Sequence, residues 1–229
     1  MKGTMTITKS IGVFAGAIAL LAIAGTAHAD ISFITDKSSV AWGDYVDWGA
    51  VATAGSATTP YAAVSNNGLS ATVSDTNGFY GAVQPYSWDG NFSLGDNVLY
   101  TLHASDPIIV KFATPVFGGG AQIESTLRGD FIGTVSAYDS DNSLLGTFSL
   151  PGASVSSQDG TAIFIGIGST DQDISELQFS STNDLAGFGI NRLQLATVAV
   201  IPQAVPEPGS LLALAMGVGS MGAFLRKRN

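Results

Sequence analysis

Hydrophobic residues recur at every second position in several short stretches of this chain. Ile108, Val110 and Phe112 lie on one side of an extended segment, and residues 131–138 alternate in the same way. A period of two residues is typical of a β-strand that buries one face. Both stretches are therefore predicted to be strands of a sheet with one buried face.

A third stretch is apolar on both sides. Ile163, Ile165 and Ile167 share one parity, while Ala162 and Phe164 hold the other. A strand that is apolar at every position is expected where both faces of the sheet are covered. We predict that this strand lies at the heart of the core.

The pattern changes phase near the end of this region. Phe188 and Ile190 hold one parity, whereas Leu193 and Leu195 hold the opposite one. One extra residue in a strand reverses the direction of every later side chain. A β-bulge near Asn191-Arg192 would keep all four side chains pointing inward.

Turn residues separate these runs at regular intervals, and no long amphipathic helix intervenes. The clearest hairpin is predicted over residues 135–150, with its turn at 138–143. About ten short strands with turns every 8 to 12 residues favour an all-β fold, a jelly-roll-like β-sandwich, with a barrel as the alternative. The turn signals are Asn66-Asn67-Gly68, Asn77-Gly78, Asp89-Gly90, Gly95-Asp96-Asn97, Asp106-Pro107, Asp141-Asn142 and Asp159-Gly160.

The N-terminal end has the pattern of a secretory signal peptide. Two lysines precede an uncharged apolar stretch at 11–24, and Ala27 and Ala29 supply the small-x-small cleavage pattern. An N-terminal membrane anchor is the alternative, but the stretch is shorter than the roughly 20 residues that a spanning helix needs. Residues 1–29 are therefore predicted to be removed on export by the Sec machinery.

The C-terminal end has three parts in a fixed order. A Pro-Glu-Pro motif at 205–210 precedes an apolar segment at 211–225, and a basic tail follows at 226–228. The apolar segment would rise only about 22 Å as a helix, against a hydrocarbon core of about 30 Å. It is therefore a marginal span, suited to temporary membrane retention, and an ordinary tail anchor is the alternative. The motif and tail residues are Pro206, Glu207, Pro208, Arg226, Lys227 and Arg228.

This order resembles the PEP-CTERM sorting signal, which exosortases recognise on exported bacterial proteins. From the alternation and turn pattern, residues 30–200 are predicted to form the β-sandwich domain, and residues 201–229 to hold a linker and the sorting signal. The resemblance implies an exosortase partner. It also implies a C-terminal hydrophobic sorting helix with transient membrane association. The expected location is the cell envelope or extracellular matrix.

The middle of the chain is similar to the sandwich cores of many PEP-CTERM-sorted extracellular proteins, whose architecture is like that of carbohydrate-binding modules. The resemblance implies a structural, adhesive or glycan-binding role in exopolysaccharide and biofilm, with exopolysaccharide as a candidate partner. It rests on the runs ASDPIIVKFATPVFGGGAQIES, VSAYDSDNSLLGTFSL, GTAIFIGIGSTDQDISELQFSS and FGINRLQL.

The net charge of the region between the two ends limits the kinds of partner that it can bind. Residues 30–204 hold 17 acidic and four basic side chains, a net charge of −13, and the chain contains no cysteine. A surface this negative repels phosphate backbones, so a nucleic-acid partner is not expected. Thiolate metal sites and disulfides are excluded, and the fold must rely on core packing.

Candidate catalytic groups are few. Beyond residue 29 the only histidine is His103, read as an exposed turn residue, and no Gly-x-Ser-x-Gly motif occurs. We therefore expect a non-enzymatic protein without a cofactor. The alternative is a secreted hydrolase that acts on polysaccharide through an Asp/Glu pair, with Glu124 and Glu176 as the residues to test.

Aromatic residues give the main hint of a ligand. Trp88, Asp89, Tyr80 and Tyr86 are candidate glycan contacts, because sugar rings stack on aromatic faces while polar neighbours bind hydroxyl groups. The competing interpretation is that these aromatic rings fill the core or cover the ends of the sheets.

No metal ligand is assigned, although structural calcium is a hypothesis. Residues 139–143 begin like a calcium loop, but Leu144 stands in place of the turn glycine and Leu150 in place of the bidentate glutamate. Turn aspartates from different strands, including Asp171 and Asp173, could still chelate calcium.

Overall fold

The structure is a computed structural model that describes residues 29–103, 106–182 and 187–200. These residues form two antiparallel sheets packed face to face, with one short α-helix, α1 (Gly49–Ala54), and a 3-10 turn at Lys37–Ser39. The strands are β1 (Ile31–Ile34), β2 (Asp44–Val46), β3 (Ser56–Ala57), β4 (Tyr61–Val64), β5 (Ser70–Ser74), β6 (Phe79–Val83), β7 (Asn97–Thr101), β8 (Ile108–Val116), β9 (Gly118–Ser125), β10 (Gly129–Tyr138), β11 (Leu144–Ser154), β12 (Ile163–Ser169), β13 (Ile174–Ser181), β14 (Phe188–Ile190) and β15 (Leu193–Ala196).

The sheets differ in size. In the large sheet the strands follow the order β1-β12-β9-β14-β7-β6-β3, and β15 joins β9 to β2. In the small sheet the order is β11-β10-β13-β8-β5-β4. From β8 onward, most connections cross from one sheet to the other, as in a jelly roll. The predicted all-β, jelly-roll-like sandwich is confirmed.

The core lies between the sheets and follows the predicted alternation. Ile108, Val110 and Phe112 of β8 are buried, and the alternate residues of β10 from Phe131 to Ala137 are buried on the same face of the small sheet. The predicted hairpin is also confirmed, because β10 pairs with β11 across the turn at 138–143.

Strand β12 is covered on both faces, as predicted. Ile165 and Ile167 are fully buried in the core, while Phe164 points to the other face and packs against Trp42. Trp42 belongs to the segment between β1 and β2, which therefore closes this part of the outer face.

The predicted bulge is confirmed by the register of the last two strands against β9. Ile190 lies opposite Ile123, whereas Gln194 lies opposite Gly120. Residues 191–193 thus oppose only residues 121–122, so one extra residue is inserted and the parity changes. Phe188, Ile190, Leu193 and Leu195 all point into the core.

The turn signals also lie where the sequence places them. Gly78 and Gly160 have positive φ angles, as does Asn142 in the hairpin turn. These left-handed conformations favour glycine and asparagine. His103 is exposed just after β7, which agrees with its interpretation as a turn residue.

Several sequence predictions fall outside the described residues. They are Ala27, all six motif and tail residues, and the apolar segment at 211–225; Ala29, the other cleavage residue, is the first residue described. Within the described part of the chain, no helix combines the length and hydrophobicity needed to cross a bilayer.

Candidate functional site

The candidate site lies on the outer face of the large sheet. One row of paired residues crosses four neighbouring strands of this sheet. It consists of Tyr80 in β6, Tyr100 in β7, Gly189 in β14 and Glu124 in β9. Ile123 precedes Glu124 and points into the core. Because successive side chains of a strand alternate between faces, the row points away from the core.

Trp88 belongs to the loop between β6 and β7, and its ring lies over the middle of this row. Gly189 leaves room for its indole, since a Cβ there would lie 2.9 Å from Cη2 of the ring. The edge of Trp88 meets Tyr100 at 5.4 Å between centroids, and its Nε1 donates to Glu124 Oε2 over 3.1 Å. The absence of a side chain at position 189 thus lets the tryptophan ring lie directly on the sheet.

Glu124 is a buried carboxylate beneath this ring. Its side chain is 1% exposed, and its two oxygens accept from the Asn91 backbone N–H at 2.9 and 3.0 Å. Burial raises the pKa of Glu124; the Trp88 and Asn91 hydrogen bonds oppose that rise, and the charge of Asp89 adds to it. The carboxylate is therefore fixed in place by the loop that covers it.

The covering loop joins β6 to β7. Asn91 attaches it to the end of β11: its Nδ2 donates to Ala153 O at 3.3 Å, and its Oδ1 accepts from Val155 N at 2.6 Å. Gly90 lies so close to the Glu124 carboxylate that a Cβ there would overlap it. The loop is therefore held by hydrogen bonds to two different strands.

A cleft of about 350 Å³ opens beside Trp88. Within it, the Arg128 guanidinium forms an ion pair with Asp89, and both side chains are largely exposed. Aromatic rings thus lie beside exposed donors and acceptors, and this combination suits a polar ligand. The lining residues are Ser87, Trp88, Asp89, Tyr100, Leu102, Ser125, Thr126 and Arg128.

The four candidate glycan contacts do not share one environment. Trp88 is only 8% exposed, and it lines the cleft together with Asp89. Tyr80 is 37% exposed and stacks on Tyr100, with centroids 5.4 Å apart and planes at 29°. Tyr86 is 89% exposed and is not among the lining residues.

Most residues that line the cleft were missed by the sequence analysis, including Tyr100 and Arg128. Tyr100 and Arg128 follow Trp88 by 12 and 40 positions in the chain, and only strand pairing brings them to the same cleft. Glu124 was considered only as a possible acid. One feature of the sequence could have indicated that Glu124 has a special role: it is the one charged residue in the otherwise uncharged strand β9.

The two glutamates named for a hydrolase lie on opposite sides of the sandwich. Glu124 points outward from the large sheet, whereas Glu176 points outward from the small sheet, where Lys111 Nζ lies 3.5 Å from its Oε2. Packed sheets are about 10 Å apart before side chains are added. Glu124 and Glu176 therefore do not face one sugar.

The predicted calcium turn at 139–143 uses its first aspartate locally, whereas at the other predicted turn Asp173 Oδ1 is buried with no hydrogen-bond partner among the residues that the structure describes. Asp139 Oδ1 accepts from the backbone N–H groups of Asp141 and Ser143, each at 2.8 Å, and this shapes the hairpin turn. Among the described residues, no group of three or more acidic, histidine or cysteine side chains is arranged to hold a metal ion. Structural calcium stays a prediction, and an unchanged melting temperature on chelation would rule it out.

Comparison with known proteins concerns the tail and the fold separately. Residues 204–228 match the family model of the PEP-CTERM protein-sorting motif. No curated protein matches the chain significantly. Among solved structures, the crystal structure of a DUF4465 family protein from Bacteroides caccae ATCC 43185 is similar at 11% identity and a TM-score of 0.35, covering 76% of this chain and 96% of that chain.

The match at 204–228 covers the three-part C-terminal pattern of Pro-Glu-Pro, apolar segment and basic residues. The chain is therefore an exported protein that carries a PEP-CTERM sorting motif, is sorted by an exosortase and is anchored in the membrane through its C-terminal segment before processing.

Proposed function

We propose that this protein is a non-enzymatic component of the cell envelope or extracellular matrix that contacts glycans, with exopolysaccharide as the ligand. Export would proceed through the Sec machinery. The observation that carries the proposal is that Tyr100, on which the exposed ring of Tyr80 stacks, lines the cleft together with the Asp89–Arg128 ion pair. Aromatic faces pack on the apolar faces of sugar rings, and the ion pair offers both acceptors and donors to hydroxyl groups.

The charge balance favours a neutral glycan segment over a strongly acidic one. Among the described residues that line the cleft, Arg128 is the only basic one, and Asp89 already neutralises it. The remaining surface is strongly acidic and repels polyanions. Binding should therefore depend on stacking and hydroxyl contacts more than on ionic attraction.

A glycan array with the purified protein tests this function. We expect binding without turnover, and Tyr80→Ala should weaken it about tenfold, which corresponds to about 1.4 kcal/mol. Tyr138→Ala is the matched control, because this tyrosine lies on the outer face of the small sheet. No binding to any glycan, or equal losses in both variants, would contradict the proposal.

The hydrolase alternative depends on Glu124 and a nearby partner. Asp89 is near enough to influence the pKa of Glu124, and a raised pKa is typical of a general acid. However, Glu124 is buried and both its oxygens already accept hydrogen bonds, which supports a structural role. Release of reducing ends that disappears in Glu124→Gln or Glu176→Gln would establish the hydrolase instead.

The destination after sorting has its own test. Mass spectrometry of the two chain ends should find residues 1–29 removed and the C-terminal segment cut near Pro206–Pro208 only when a functional exosortase is present. Microscopy should then place the protein in the polysaccharide matrix. An intact C-terminus in cells with the exosortase would contradict processing.

A further inference from the structure

The two ends of the described body leave it at the same place. Asp30 N donates to Thr170 Oγ1 at 3.0 Å, and Thr170 N donates back to Asp30 O at 3.2 Å. At the other end, Val200 N donates to Ser169 O at 3.0 Å. Consecutive residues at the end of β12 thus hold both ends of the body. We call this end of the sandwich the tether pole.

The aromatic cleft lies at the other end of the same sheet. Gly118 begins β9 at the tether pole, where it pairs with Gly168 and Ala196. Glu124, beneath Trp88, lies six residues further along the strand. At about 3.3 Å per residue, the cleft is about 20 Å from the tether pole along the strand direction.

We propose that the membrane-anchored form holds its tether pole toward the bilayer and presents the aromatic cleft away from it. The C-terminal anchoring segment follows Val200 through the linker at 201–210, so the anchor is attached to the body at the tether pole. The net charge of −13 discourages the body from lying flat on anionic head groups. The inference rests on the proposed function only in treating the cleft as the ligand site.

This arrangement orients the cleft of the anchored protein relative to the bilayer. A cleft that faces away from the bilayer can bind polysaccharide outside the cell while the C-terminal segment is still uncut. Sorting and ligand binding would then occur at opposite ends of the same domain, and neither would block the other.

The absence of cysteine makes the orientation measurable. Asp171→Cys places one thiol on an exposed residue at the tether pole, and Leu127→Cys places one on an exposed residue beside the cleft. Each variant, without residues 1–29 but with the C-terminal segment intact, carries a fluorescent donor and is reconstituted into phosphatidylcholine vesicles with acceptors on some head groups. We expect a greater loss of donor fluorescence at position 171 than at position 127.

Equal losses, or a greater loss at position 127, would overturn the proposed orientation. Leu102→Cys is a second probe beside the cleft, should the first variant fold poorly. Co-flotation with the vesicles confirms that each variant is anchored. The measurement needs no glycan, so a failure of the proposed glycan binding and a failure of the orientation are separate results.

Discussion

The outer faces of the two sheets have different chemistry, although both sheets build the same core. On the small sheet, Thr134 pairs with Ser149 at 2.8 Å and Ser136 with Thr147 at 2.9 Å, all in contact with solvent. On the large sheet, the loop between β6 and β7 places Trp88 over Gly189, in the row that also holds Tyr80 and Tyr100, and it buries Glu124. An open sheet face supplies only shallow polar contacts, whereas a covered face supplies a shaped cleft and a shielded carboxylate.

The largest difference between the faces should follow from loss of the central ring. Trp88→Ala removes packing with Phe92 and Tyr100 and takes one hydrogen-bond donor from buried Glu124. We expect a loss of about 3–5 kcal/mol in the free energy of unfolding, measured by urea denaturation. Tyr138→Ala on the small sheet should lower the free energy of unfolding clearly less. Equal losses in the two variants would show that the covered face contributes no more to stability than the open face.

A second test removes the space in which the ring lies. The added Cβ of Gly189→Ala would meet Trp88 Cη2 at 2.9 Å and Val98 Cγ1 at 2.7 Å. Overpacking of this kind should cost about 1–3 kcal/mol in denaturation experiments. In a Trp88→Ala background the same change should cost less, because the blocking ring is gone. A strictly additive double mutant would contradict the contact.

The buried carboxylate should make stability depend on pH. Because folding raises the pKa of Glu124 above its ordinary value of 4.5, the folded protein holds a proton there that the unfolded chain has already released. The contribution of Glu124 to stability is therefore fully present below pH 4.5 and is lost as pH rises through the folded pKa. Urea denaturation at several pH values should show this decrease in the wild type and not in Glu124→Gln. Parallel pH profiles in the two proteins would contradict it.

The smallest effect is expected on the small sheet. Thr134→Val removes a solvent-exposed hydroxyl pair but keeps a residue that favours strands. The free energy of unfolding should change by no more than about 0.5 kcal/mol, and glycan binding should not change. A loss of glycan binding in Thr134→Val would show that the glycan binds to the small sheet instead.

Local chemistry allowed much of the fold to be predicted. The alternation in β8 and β10, the doubly covered strand β12 and the bulge after Ile190 all follow from which residues can be buried along one strand. Asn142 also marks its turn, because it tolerates a left-handed backbone.

The candidate site was less predictable, since neighbouring aromatics in the sequence separate in space. Trp48 and Phe79 fill the core, while Tyr80, next to Phe79, faces outward. Glu124 and Glu176 looked equivalent in the sequence, yet strand parity and sheet assignment send them to opposite faces. Neither distinction can be read from residue type alone.

The sequence by itself determined the all-β class, the positions of several strands and turns, and the three-part sorting signal, because each depends on residues within a few positions of one another. Only the tertiary structure decided that Tyr100, Gly189 and Glu124 share a row, that Trp88 lies across it, and that the body's two ends meet beside Ser169. These arrangements depend on pairing between strands that are distant in the chain. Such pairing is set by the packing of the whole core rather than by any local pattern.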